Sequence, residues 1–330
     1  ELRDALVEMI SAAAPNDNKG KPRLPIDRAF SPKGVGTVVT GTMTCGPLKC
    51  PNDVILTPAG VTGSVRGIQN HSRKVDAAFP STRTAANLSD IPLATSGRPG
   101  AQRGQTLTLP RFDATTDTLD VAITRSDREH LVTAGASIRL AHLHHVQIHH
   151  AGATQQARLV LDVSVQRQID AGQQAIAQLR FDKPIHAFAG DRFLIRDGSQ
   201  RHTIAGGLIL NPFGNRRWFH KSEYQDMLKT REGAFAAEGI SAEAMVRSLI
   251  AHDRIIADRR VLDYAPYSDE ELETAISTLV EQNVVMQSND RLIDRAWWDD
   301  VAGKADDEIR AFHQKKPELP GMPVLKLQKA

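Results

Sequence analysis

From Leu24 to Pro212 the sequence never holds a helical period for long. Short β-branched runs alternate instead with Gly, Pro and Asn-Asp turns, and this rhythm limits the possible folds more than any other feature. Residues 24–30 (LPIDRAF), 35–44 (VGTVVTGTMT), 53–60, 62–71 and 83–91 read as strands of one β domain. Gly34, Gly36 and Gly41 fit sharp bends and close backbone approach in a small closed barrel. Closure would also remove exposed strand edges. After the connector SGRPGAQRG, a second set of strands is expected over 118–126, 136–150, 156–165, 174–185, 191–199 and 202–212. Alternation in LDVAI and ARLVLDV predicts one buried face there.

The period changes on either side of this β region. Residues 1–14 read as the last turns of a helix, with Leu2, Ala5, Leu6 and Met9 on one face, followed by a polar linker over 15–23. From Ser222 the spacing predicts helices over 222–238, 241–253 and 268–282, with Ser268 and Glu271 as a capping box for the last. The runs 284–288 and 291–295, joined at Asn289-Asp290, read as a two-stranded wing. Helix, helix, hairpin is a winged-helix order, and a further helical start follows at 306–316.

With 330 residues, 41% of them hydrophobic, the chain can fill two or three cores. No stretch approaches the roughly 18 apolar residues of a membrane span, and ELRDALVEMI has no feature of a secretory leader. Two cysteines, Cys45 and Cys50, cannot build a disulfide framework or a four-thiolate zinc site, so a cytoplasmic setting is expected. The net charge of +2 hides a polarity. Residues 24–98 carry 8 basic against 4 acidic side chains, 99–220 carry 14 against 10, and 221–330 carry 15 against 21. A basic middle and an acidic tail suggest a polyanionic partner for the middle.

No phosphate loop of the G-x-x-x-x-G-K-[ST] type occurs, nor a dinucleotide G-x-G-x-x-G, a G-x-S-x-G elbow or H-E-x-x-H. Nucleotide hydrolysis by this chain alone is not expected, and no catalytic residue is assigned. His142, His144, His145, His149 and His150 crowd into LAHLHHVQIHH and offer an alternative of another class, a metal-binding protein using the His142–His150 strand. Half-exposed strand and turn histidines are the competing reading, and no metal ligand set is assigned. Trp297 and Trp298 are expected to anchor the winged helix against the next helix. Asp27 and Arg28 close one strand and Arg83 opens another, and spacing alone does not bring Arg28 to Arg83.

The segments LPIDRAFSPKGVGTVVTGTMTCG and VRGIQNHSRKVDAAFPSTRTAANLSDI resemble the second domain of translational GTPases, and specifically of selenocysteine-specific elongation factors. GDRFLIRDGSQRHTIAGGLILNP is similar to the closing strands of the third domain, and 222–298 to the first winged-helix module of bacterial members. The resemblance implies a mainly β fold of two consecutive translation-factor β-barrels, 24–98 (domain 2) and 99–220 (domain 3), followed by an α/β winged-helix region at 221–298. Residues 1–23 would be the end of a GTPase domain and its linker, and 299–330 the start of a second winged-helix module.

In that family an Asp-Arg pair and a second Arg line the selenocysteyl pocket, and Asp27, Arg28 and Arg83 occupy the matching places, with His71 a further candidate. Asp27 would orient Arg28. Gly34 and Gly36 would let the backbone close on the terminal adenosine of the transfer RNA. A thiol ionises near about 8.5 and a selenol is more acidic, so two guanidiniums would favour the anionic selenocysteyl group over a neutral seryl one. The residues STR stand where the family often has Gly before the Arg. The implied function is delivery of selenocysteyl transfer RNA to a ribosome at a recoded UGA codon, by a monomer. GTP and Mg would bind in a domain absent from this sequence, and the messenger hairpin would bind C-terminal winged helices largely absent from it. A general aminoacyl transfer RNA-binding GTPase fragment is the alternative within the class.

Overall fold

The structure, a computed structural model, describes residues 2–12, 18–128, 140–196 and 202–328. The middle of the linker, the start of the strand expected over 136–150 and the end of the strand expected over 191–199 lie outside the described residues. Two compact units are formed: residues 1–241 with 263–270, and residues 242–262 with 271–330.

A helix, α1 (Leu2–Ala12), begins the first unit with no buried residue. The first barrel comprises β1 (Arg23–Phe30), β2 (Thr37–Thr42), β3 (Leu48–Lys49), β4 (Asn52–Thr57), β5 (Val61–Asn70), β6 (Arg73–Val75), β7 (Ala77–Ala78), β8 (Arg83–Ser89) and β9 (Thr106–Thr108). Six of these run β4-β9-β1-β2-β8-β5 and close through a β4–β5 pairing, so the main strands leave no free edge. Alternate residues point inward: Leu24, Ile26, Val39, Val54, Leu56, Ile68, Ala86 and Leu88 fill the interior.

The second barrel is built from β10 (Thr116–Arg125), β11 (Leu140–Ala141), β12 (His145–His150), β13 (Ala153–Leu161), β14 (Gln168–Ile169), β15 (Gln174–Ile185), β16 (Arg192–Arg196) and β17 (Thr203–Asn211). It closes in the order β10-β15-β13-β12-β16-β17, with β17 returning to β10. Leu119, Val121, Leu159, Leu161, Leu179, Phe193 and Ile209 pack its core. Helix α2 (Ser222–Glu238) lies against this barrel. Its Tyr224 donates a hydrogen bond to buried Asp120 at 2.5 Å, and Arg231 donates to the Leu210 carbonyl at 3.0 Å. The sequence reading grouped this helix with the tail; packing groups it with the barrels.

Arg23 and Asp191 join the barrels. Arg23 donates both terminal nitrogens to the Asp191 carboxylate at 2.8 and 2.6 Å and lies 4.1 Å over the Phe188 ring. His150 Nε2 approaches the same carboxylate at 2.9 Å, and the Phe188 amide donates to it at 3.0 Å. A short strap from later in the chain covers this seam. Lys21 Nζ, fully buried, donates to the carbonyls of Asp263 and Ala265 at 2.7 and 3.2 Å and sits 4.6 Å from the Tyr267 ring centre. Tyr264 packs edge-on against Phe112, Phe188 and Phe213 and accepts from the Ala114 amide at 2.8 Å.

In the second unit, α3 (Ala242–Asp253) buries Met245, Val246 and Ile250 of its apolar face, and α4 (Asp269–Glu281) buries Leu272, Ile276 and Leu279. A three-stranded sheet in the order β18-β20-β19 accompanies them, from β18 (Ile255–Ile256), β19 (Val285–Ser288) and β20 (Arg291–Asp294). Asp294 caps α5 (Arg295–Lys315) by accepting from the Trp297 amide at 3.1 Å. No helix among the described residues is long and apolar enough to cross a membrane.

Candidate functional site

Asp27 owes its position to an irregularity in β1. Ile26 faces Gly41 and Arg28 faces Thr40, so two steps along β1 match one step along β2 and Asp27 is the extra residue of a β-bulge. Bulges redirect side chains and accentuate twist. The neighbouring backbones are so close that a Cβ on Gly41 would lie 2.0 Å from the Pro25 carbonyl oxygen. Glycine at this point of TVVTGT is therefore a requirement of the bulge.

The redirected carboxylate meets Arg83, the first residue of β8, which faces Thr42 across the β2 ladder. Arg83 closes a two-pronged ion pair on Asp27: Nη1 donates to Oδ2, and Nη2 donates to Oδ1 at 3.0 Å. Thr40 Oγ1 also donates to Oδ1, at 2.8 Å. Burial alone would raise the Asp27 pKa. The Arg83 and Thr40 hydrogen bonds and the Arg83 and Arg28 charges outweigh it and hold the carboxyl below its usual range. Its bond to Asp27 likewise raises the Arg83 pKa. The pair lies on the barrel rim, with side-chain exposures of 38% for Asp27 and 56% for Arg83.

Asp27 thus holds Arg83, where the sequence reading had it orienting Arg28. Arg28 is exposed and, among the described residues, has no ion-pair partner. Two cations therefore flank one carboxylate, and the Arg28 fork is free to take an anion. His71 lies at the same end of the barrel. Asn70 faces Thr84, and His71 and Ser72 then make a two-residue hairpin turn with φ of 48° and 64°.

Gly34 and Gly36 lie elsewhere. Both have positive φ, 79° and 89°, in the loop between β1 and β2. Gly36 leads into Thr37, which faces Leu88 near the far end of β8 from Arg83. The length of β2 puts that loop on the order of 15–20 Å from the rim pair. The loop runs from strand to strand with no helix N-terminus behind it, so its residues do not fit a nucleotide phosphate.

The histidine run is divided among separate tasks. His142 Nδ1 accepts from the Leu161 amide at 3.1 Å, His149 bonds Thr154 at 3.2 Å and His150 serves the seam. Among the described residues no three His, Cys, Asp or Glu side chains converge as metal ligands. Cys45 and Cys50 are free thiols, both half-buried.

Sequence reasoning missed the buried charges. Burial pulls the Lys21 pKa down to about 8 despite nearby carboxylates. Burial, followed by the Arg23 charge, takes His186 down to about 3 and keeps it neutral. In Asp191 the Arg23 fork overcomes the burial penalty and holds the carboxyl well below its usual range.

A family model described as the β-barrel domain of selenocysteine-specific elongation factor matches residues 127–216. The chain is 28% identical over 330 residues to the selenocysteine-specific elongation factor of Desulfomicrobium baculatum, covering 98% of this chain and 48% of that protein. It therefore spans about half the length of that relative. Elongation factor 1-alpha of Saccharolobus solfataricus is 38% identical over 69 residues, 21% of this chain and 16% of its own. The crystal structure of a bacterial selenocysteine-specific elongation factor, EF-Sec, shares the fold with a TM-score of 0.66 at 20% identity, over 96% of this chain and 46% of that one. By family model, relatives and fold together, this chain is similar to the selenocysteine-specific elongation factors, with the family's β-barrel domain matched at residues 127–216.

Proposed function

We propose that the first barrel binds the aminoacyl end of selenocysteyl transfer RNA and that Asp27, Arg28 and Arg83 recognise the selenocysteyl side chain. The observation that carries this reading is the two-pronged Asp27–Arg83 pair on an accessible rim, next to an unpaired Arg28. Asp27 fixes the plane of the Arg83 guanidinium and leaves its remaining donors for a ligand. A selenolate would accept from these donors and from Arg28. A seryl hydroxyl brings no charge, so its contacts are weaker. His71, on the adjacent turn, would border the bound group, and Gly34 and Gly36 would serve the terminal nucleotide only if the acceptor end runs the length of β2.

In the whole factor the chain would take part in delivering this transfer RNA to the ribosome at a recoded stop codon. The sequence has no phosphate loop, so GTP and Mg would be held by another domain of the cytoplasmic factor. The order α3, β18, α4, β19, β20, with β20 central in its sheet, supports a winged helix in the second unit. Its acidic balance suits a spacer or protein contact better than a phosphate-binding surface.

The test is competition between selenocysteyl and seryl transfer RNA. Arg83→Ala is expected to reduce the preference for the selenocysteyl form by about 1–3 kcal/mol, the scale of a charge-assisted contact. An unchanged preference overturns the pocket. Equal binding of both forms by the parent protein would point to a general aminoacyl transfer RNA carrier.

A further inference from the structure

The bulge in β1 turns two consecutive side chains to the same side of the sheet. Ile26 and Ala29 both pack on the barrel core, so Asp27 and Arg28 between them lie together on the outer side. Thr40 of β2 is directly opposite Arg28, and on its other flank it faces Ala85 of β8. Thr42, the next residue on that face of β2, is opposite Arg83. Opposed residues share a face, as do alternate residues of a strand, so Thr40 stands between the two arginines. Its half-buried hydroxyl donates to Asp27 Oδ1 at 2.8 Å. Among the described residues, Asp27 accepts hydrogen bonds from Thr40 and Arg83 alone.

These two donors differ in how firmly they are held. Arg83 is a long side chain, 56% exposed, and an exposed ion pair does little to keep such a chain in one geometry. Thr40 is β-branched, stiff about χ1 and set within a paired strand, so the barrel backbone fixes its hydroxyl. The χ2 torsion of an aspartate is broad and roughly two-fold. A two-pronged guanidinium takes up the plane of the carboxylate it pairs with, so whatever fixes that torsion also aims Arg83. Burial raises the Asp27 pKa, and the hydrogen bond from Arg83, then that from Thr40, bring it below the usual range. Valine would suit this strand as well as threonine, as Val38 and Val39 do, so the barrel has no need of the hydroxyl.

We propose that Thr40 is a positioning residue for selenocysteyl recognition: its hydroxyl fixes the plane of the Asp27 carboxylate and, through it, the direction of the Arg83 donors. The inference rests on the reading that this rim takes the selenocysteyl side chain, and it adds a residue that acts on that group only through Asp27.

The test compares Thr40→Val and Thr40→Ala, which remove the hydroxyl, with Thr40→Ser, which keeps it, in the 330-residue chain. One readout is competition between selenocysteyl and seryl transfer RNA; the other is the NMR titration of the Asp27 carboxyl in the chain without RNA. The Val and Ala variants are expected to bind the selenocysteyl form about fivefold more weakly with seryl binding unchanged, and to titrate Asp27 at higher pH than the parent. Thr40→Ser should match the parent in both. Circular dichroism checks folding, and Thr40→Ala decides if the Val variant does not fold. Parent preference, or a parent Asp27 titration, in the hydroxyl-free variants overturns the proposal. So does an equal loss in Thr40→Ser, which would assign the effect to packing of the methyl group. Arg83→Ala separates this role from the pocket itself. If it abolishes a preference that Thr40→Val and Thr40→Ala retain, the role of Thr40 alone is overturned. If the parent shows no preference, or Arg83→Ala leaves it unchanged, the pocket falls and the role of Thr40 falls with it.

Discussion

Strand β1 carries two Asp–Arg pairs, four residues apart, that do opposite things. At the seam Arg23 and Asp191 have side-chain exposures of 4% and 19%; at the rim Arg83 and Asp27 have 56% and 38%. Both are two-pronged, so geometry does not separate them. Solvent does. A pair taken out of water loses hydration that only its partner can replace, while an exposed pair can trade its partner for water or a ligand. The seam pair therefore acts as a joint between barrels, and the rim pair is suited to exchange.

The strongest way to break this contrast is Arg23→Ala. Among the described residues it leaves the Asp191 carboxylate with His150 and the Phe188 amide, inside a seam lined by aromatic rings. Removing one partner of a buried pair is expected to lower the unfolding free energy by about 3–5 kcal/mol. Denaturant unfolding measures it, and a loss below about 1 kcal/mol would mean that water reaches the seam as freely as the rim.

A second buried carboxylate shows that the fork, not burial, keeps Asp191 charged. Asp120 accepts from Tyr224 at 2.5 Å, Gln178 at 2.8 Å and Asn211 at 3.1 Å, among the described residues no guanidinium hydrogen-bonds it, and burial raises its pKa to about 6. Between its unfolded value of about 3.9 and about 6 the folded chain then binds the extra proton, so Asp120 makes stability fall as pH rises. His186 works the other way. Its folded pKa of about 3 lies below the unfolded value of 6.5, so the unfolded chain binds the extra proton and stability rises with pH in that window. Asp120→Asn should unmask the rise, making the slope of unfolding free energy between pH 4 and 6 more positive by up to about 1.4 kcal/mol per pH unit. An identical slope in parent and variant would mean that Asp120 ionises normally.

These contrasts also mark how far the sequence could be read. Strands were legible because burial alternates along them, as in β8, where Thr84, Ala86 and Leu88 are buried and the residues between them less so. The Asp-Arg motif and Arg83 were legible through resemblance, but their pairing was not. It depends on a bulge visible only in the β1–β2 register. Lys21 and Arg23 read as polar linker because their partners lie 242 and 168 residues away, and no local period encodes such a contact. Helix α2 showed its helical spacing but not its destination, which is fixed by Tyr224 reaching Asp120. One usable signal was present: the chain has 3 tyrosines, and all are buried in the first unit, at the α2 contact and in the strap.

The smallest expected effect tests the rim directly. Asp27→Asn keeps the shape of the side chain and an oxygen for the Thr40 hydroxyl, and it removes only the charge that holds Arg83. Exposed pairs contribute about 0–1 kcal/mol, so unfolding should change by no more than that at neutral pH. The Asp27 pKa lies below its usual value, so this contribution is present above the carboxylate range and lost as pH falls through it. Parent and variant should therefore converge in stability in strong acid. A loss above about 2 kcal/mol at neutral pH would show that the bulge itself depends on the Arg83 bond. The rim would then be a second joint, and a ligand could not take Arg83 from Asp27 without disturbing the barrel.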